Sequence, residues 1–106
     1  DVDSARVVYL GNSQGGGMGL VLTGLNKSIT AACVNIPALC DHLGFRAGRS
    51  PAWPGVLNER ARRGMTAEQI GSMEAMLPYF DAVNFARRIS VPVLLTMGYV
   101  DTTECR

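Results

Sequence analysis

Ser13 stands in the pentapeptide Gly11-Asn12-Ser13-Gln14-Gly15, directly after the apolar run Arg6–Leu10 (RVVYL). Two chemistries compete for a serine among glycines. The glycines could cradle a phosphate, or they could permit a turn tight enough to push a serine hydroxyl into a cleft. Spacing decides against phosphate. A Walker loop requires Gly-Lys-Ser/Thr at the start of a helix, whereas Lys27-Ser28 follows Asn26 at the far end of the apolar segment, where a helix dipole repels anions. The dinucleotide pattern G-x-G-x-x-G fails as well: counted from Gly11 its third position is Ser13, and counted from Gly15 or Gly17 its sixth is Leu20 or Leu22. The pattern G-x-S-x-G fits without adjustment, as a strained strand-to-helix turn that presents a nucleophile. Gly11 and Gly15 are expected to relieve crowding on either side of Ser13. The backbone N–H of Gln14, at the helix N-terminus, is placed to bind a developing oxyanion.

A serine nucleophile needs a base, and the base needs an orienting carboxylate. On this kind of turn the chain order is serine, then Asp or Glu, then histidine. Asp101 follows the apolar run Val91–Met97 after Gly98-Tyr99-Val100, and sits where a parallel sheet holds its sites. The single histidine, His42, precedes Asp101 and lies in an irregular stretch, so chain order assigns it to loop packing. The expected base lies one strand beyond Arg106, and the second oxyanion donor before Asp1.

The elements that must position these groups are legible in the hydrophobic pattern. Arg6–Leu10, Ile29–Asn35 (ITAACVN) and Val91–Met97 (VPVLLTM) read as strands buried on both faces. Gln14–Leu25 reads as an interior helix, apolar on nearly every side. Pro37–Met65 carries three prolines, Trp53 and scattered arginines without a period, and reads as a long surface excursion. Thr66 with Gln69 is a capping-box signature, and Ile70, Met73 and Leu77 continue it until Pro78. Asp81 is the expected cap of a short helix carrying Val83, Ala86 and Ile89. Strands alternating with helices imply right-handed crossovers and a parallel α/β sheet. Three strands buried on both faces exceed what these helices cover. The 106 residues therefore read as a single partial α/β-hydrolase domain, running from nucleophile turn to acid-bearing strand, with an irregular insert at about 37–65.

Composition excludes several classes. Hydrophobic residues are 47% and charged residues 18%, which argues against disorder, and a net charge of +1 gives no sign of a nucleic-acid or acidic-membrane partner. No apolar run approaches the ~20 residues of a membrane span. The opening Asp1-Val2-Asp3-Ser4 has no leader pattern, which leaves cytoplasmic and secreted or periplasmic locations both open. Cys33, Cys40 and Cys105 have no metal-site or disulfide spacing, and Cys33 is expected to be a small core residue.

On "GNSQGGG" at 11–17, "IPALCD" at 36–41, "AGRSPAWP" at 47–54, "YFDAVNFARRI" at 79–89 and "VPVLLTMGYVDTT" at 91–103, the sequence resembles the acetyl xylan esterase and cephalosporin deacetylase family, carbohydrate esterase family seven. The resemblance implies a serine esterase that removes acetyl groups from carbohydrate or similar small esters through an acyl-enzyme, with no metal or organic cofactor. It implies Ser13 as nucleophile, Asp101 as triad carboxylate and Gln14 as an oxyanion-hole donor. It leaves a homo-oligomer open for the parent protein. Trp53 and the Pro37–Met65 segment have three open readings: substrate entrance, packed surface excursion, or a subunit contact of the family's kind. The family continues after the acid with Cys-Pro-Pro, where this chain has Glu104-Cys105-Arg106. Two rivals stand beside the acetyl esterase: a peptidase or dienelactone-type hydrolase using the same turn, and a non-catalytic interaction remnant. With two triad members of three, the 106-residue chain alone is expected to be inactive.

Overall fold

In the computed structural model of the chain, residues 3–49 and 53–101 are described. The departure at Glu104-Cys105-Arg106 lies outside them. Three parallel strands form one sheet in the order β1 (Val7–Asn12), β2 (Ile29–Asn35), β3 (Val93–Thr96), with β2 central. Helix α1 (Gln14–Leu25) makes the first crossover. The second runs through α2 (Glu59–Arg62), α3 (Ala67–Met76) and α4 (Val83–Ala86). Strand-helix alternation thus gives the expected parallel α/β sheet.

Register assigns each side chain to a face. Tyr9 pairs with Ala32, Leu10 with Cys33, Gly11 with Val34 and Asn12 with Asn35, while Leu94 pairs with Cys33 and Thr96 with Asn35. Because strand side chains alternate, Tyr9, Gly11, Ala32 and Val34 share the face on which α1 packs. Val8, Leu10, Cys33 and Leu94 share the other. Ala32 and Val34 are buried, whereas Val8 (63%), Leu10 (76%) and Leu94 (62%) are open to solvent. Burial on both faces is therefore not realised within these 106 residues. Cys33 is half-buried on the bare face rather than in the core, and Cys40 is the buried thiol.

Helix α1 also departs from the expectation of an interior helix. Its buried residues are Gly16, Gly17, Gly19, Thr23 and Gly24, while Met18, Leu22 and Leu25 are exposed. The helix turns its small residues inward because it lies too close to the sheet for larger ones. A Cβ on Gly19 would stand 2.3 Å from Tyr9 Cε1 on β1, and one on Gly17 would stand 2.0 Å from the carbonyl oxygen of Ala38, just past β2.

The Pro37–Met65 segment is not a mere surface excursion. Ala38, Cys40, His42 and Leu57 are buried, with Leu77 and Ala82 among the same buried set. Among its described residues, backbone groups are bonded within a 3-10 turn at Gly44–Ala47, within α2 and its Asn58 cap, and to Asp81. The Asp81 carboxylate accepts from the N–H groups of Asp41 (2.9 Å), His42 (2.8 Å) and Val83 (3.0 Å). Asp81 thus bonds the first residue of α4 from one position before the N-cap, which is Ala82 rather than the expected Asp81, and the helix stops at Ala86, short of Ile89. The same carboxylate pins a loop forty residues upstream. The capping box forms as predicted, with the Gln69 N–H on Thr66 Oγ1 (3.2 Å) and the Thr66 N–H on Gln69 Oε1 (2.8 Å). Strand β3 is shorter than the Val91–Met97 run. Pro92 has no N–H for the ladder and contributes only its carbonyl, to the Ala32 N–H (3.0 Å), and beyond Thr96 the chain bends into a turn.

Candidate active site

Ser13 joins β1 to α1 with φ 52° and ψ −117°, a conformation that non-glycine residues rarely adopt. Three backbone bonds hold it there. The Ser13 N–H donates to the Asn35 carbonyl (3.0 Å), and the Ser13 carbonyl accepts from Gly17 (3.1 Å) and Ala38 (2.9 Å). The residue leaving β2 thus grips the turn from one side and the helix from the other. Although serine often caps a helix with its side chain, the Ser13 hydroxyl does not cap α1. Gln14 is the first residue of α1, so its N–H belongs to the set without an intrahelical partner, at the positive end of the dipole.

The two flanking glycines divide unequally. A Cβ on Gly11 would meet the Gly15 carbonyl oxygen at 2.3 Å and Tyr9 Cε1 at 2.6 Å, so only glycine fits there. A Cβ on Gly15 meets nothing within 4 Å. The crowding expected at Gly15 is found at the next two residues, Gly16 against the Asn35 carbonyl oxygen (2.9 Å) and Gly17 against that of Ala38 (2.0 Å). Tyr9, which sequence reasoning did not single out, explains part of the packing. Its ring lies under α1, and its hydroxyl donates to the Gly15 carbonyl (2.7 Å), fastening the first turn of the helix to β1.

Asp101 lies five residues beyond the end of β3 and is half-buried. Its carboxylate lies beside Gly98: a Cβ there would sit 3.4 Å from Asp101 Oδ2. All strands being parallel, Ser13 and Asp101 leave the sheet at the same edge, from strands separated only by β2. Two strand spacings amount to ~9.5 Å.

His42 is buried and lines a hollow with Leu39, Pro54, Val56, Leu77 and Phe80, a set that includes neither Ser13 nor Asp101. Its backbone N–H is bonded to Asp81, and its Nδ1 has no hydrogen-bond partner. Loop packing, as chain order implied, is its observed role. Trp53 is 41% exposed, and its carbonyl accepts from Leu39 N–H (3.1 Å), next to the Ala38 that bonds Ser13. Among the described residues no His, Cys, Asp or Glu group of three is arranged to hold a metal.

With this geometry in hand, residues 1–105 match the model of the acetyl xylan esterase (AXE1) family. The chain belongs to that family. An acetyl esterase of Xylanibacter ruminicola is 41% identical over 101 residues, covering 95% of this chain and 22% of that protein. The fold of an acetyl xylan esterase from a Paenibacillus species superposes with a TM-score of 0.75 at 30% identity. One from a Thermoanaerobacterium species gives 0.68 at 25%. Both cover 89% of this chain and 30% of the solved one. The chain therefore spans less than a third of the length of these relatives, and the α/β-hydrolase class follows from their fold.

Proposed function

We propose that this chain supplies the nucleophile and the triad carboxylate of a serine acetyl esterase that deacetylates a saccharide or small acetyl ester. The observation that carries the reading is the backbone of Ser13, held at positive φ on a strand-to-helix turn at the same sheet edge as Asp101. The printed names of the relatives, acetyl esterase and acetyl xylan esterase, support the choice of acyl group.

In the reaction, Ser13 Oγ attacks the acetyl carbonyl while an imidazole takes its proton, and Asp101 orients that ring and stabilises its charged form. The tetrahedral oxyanion forms beside the Gln14 N–H, where the start of α1 favours negative charge. Collapse returns the proton to the leaving sugar oxygen and leaves acetyl-Ser13. Water, deprotonated by the same base, then releases acetate. His42 lines a hollow that includes neither Ser13 nor Asp101, and chain order places the histidine after the acid, so in this reading an imidazole from outside these 106 residues is the base and the segment alone is expected to be inactive.

Acetate release from acetylated xylan and from p-nitrophenyl acetate by the whole protein tests this. Ser13→Ala is expected to lower kcat by about 10⁴-fold or more, since triad members act as a unit. Undiminished turnover in that variant refutes the reading.

A further inference from the structure

Each strand of the sheet ends on a polar residue that faces the bare side: Asn12 on β1, Asn35 on β2 and Thr96 on β3. Register places all three in one row, since Asn12 pairs with Asn35 and Asn35 with Thr96. The row beneath, Leu10, Cys33 and Leu94, is apolar. In the polar row the side chains are joined. The Thr96 hydroxyl donates to Asn35 Oδ1, and Asn35 Nδ2 donates to Asn12 Oδ1. Backbone bonds run beside them: the Ser13 N–H donates to the Asn35 carbonyl (3.0 Å), and the Ile36 N–H to the Thr96 carbonyl (2.8 Å). Asn35 is thus the centre of a tie that spans the sheet at its last row.

Ser13 is the residue after Asn12, and the acid-bearing turn leaves from Thr96. A twisted sheet splays where its ladder stops, and the ladder between β2 and β3 stops at this row. A side-chain tie here therefore sets the spacing from which both groups depart. We propose that the Asn12–Asn35–Thr96 row is a positioning device that fixes the distance between the nucleophile turn and the acid turn. None of the three need touch substrate. The inference rests on the reading of Ser13 and Asp101 as nucleophile and triad carboxylate.

The test is steady-state kinetics of the whole protein with Thr96→Val, which keeps the shape and removes the hydroxyl, and Thr96→Ser, which restores it. Thr96→Val is expected to lower kcat about tenfold with KM within twofold, because misplacement by a fraction of an ångström costs on this scale. Thr96→Ser is expected to stay within twofold of the parent. Asn12→Ala, which cuts the other end, is expected to give a similar loss, and the double variant no larger one, as for members of one network. Thermal midpoints within 2 °C or so of the parent would separate this from unfolding. If Ser13→Ala is inactive and Thr96→Val turns over at the parent rate, the positioning role is wrong and the esterase reading stands. If Ser13→Ala is fully active, both fall.

Discussion

Replacing Ser13 by glycine is expected to leave the protein more stable than replacing it by alanine, although both variants lack the hydroxyl that the proposed chemistry needs. At φ 52° and ψ −117° a side chain is strained, at a cost of about 1–3 kcal/mol, and the three backbone bonds to Asn35, Gly17 and Ala38 hold the residue there. Glycine removes the Cβ that causes the strain but gains freedom in the unfolded chain, a loss of about 0.5–1 kcal/mol. The difference leaves Ser13→Gly about 1 kcal/mol more stable than Ser13→Ala, which keeps the Cβ and lacks only the hydroxyl. Comparing the two variants with each other cancels the effect of the lost hydroxyl. The assay is urea denaturation of the whole protein followed by far-UV circular dichroism. The glycine midpoint should lie above the alanine one by about 1 kcal/mol divided by the slope, ~0.5 M for a slope of ~2 kcal/mol per molar. A glycine midpoint at or below that of alanine, at equal slope, would show that the turn is not strained and would undercut the account of how Ser13 is presented.

The glycines of α1 are expected to separate under the same assay. Gly17→Ala puts a methyl 2.0 Å from the Ala38 carbonyl oxygen and should lose about 1–3 kcal/mol, outweighing a helix-propensity gain of about 1 kcal/mol. Gly15→Ala meets nothing within 4 Å and should be neutral or stabilising by up to about 1 kcal/mol; a large loss there would overturn the packing argument. Asp81→Ala strands the N–H groups of Asp41, His42 and Val83 and should cost on the order of 3 kcal/mol, while Asp81→Asn, which keeps one acceptor oxygen, should cost less.

What the sequence disclosed and what it withheld divide along the range of the interactions. The turn at Ser13 was legible because glycine placement, strand ending and helix start all lie within five residues, and backbone sterics act locally. The capping box at Thr66 and Gln69 was legible for the same reason. The Pro37–Met65 segment was not, since one of its anchors is Asp81, forty residues from the Asp41 and His42 N–H groups it accepts, and no local period announces such a contact. Gly15 misled because a pentapeptide pattern does not say which of its glycines is crowded; that depends on where Ala38 passes over the helix. Cys33 misled because an apolar run indicates a strand, not which face is covered. The polar row left a weak trace, a polar residue closing each apolar strand, but only register shows that the three closings align.

The two catalytic candidates are held with unequal security, and this follows from their places on the sheet. Ser13 is fixed from both sides by elements within the chain: Asn35 and Ala38 from the exit of β2, Gly17 from α1, and Tyr9 beneath the first helical turn. Its geometry is over-determined, which is what a strained residue requires to persist. Asp101 follows an edge strand of four residues and a turn in which Met97, Tyr99 and Val100 are exposed, Tyr99 almost completely. Among the described residues, the acid turn therefore has fewer buried neighbours than the nucleophile turn. The polar row ends at Thr96, where support for the acid turn begins to thin, and its tie back to Asn35 and Asn12 links the weaker half of the site to the stronger. On the proposed reading, the chain itself preorganises the nucleophile turn, and the acid turn depends on the polar row to share that order.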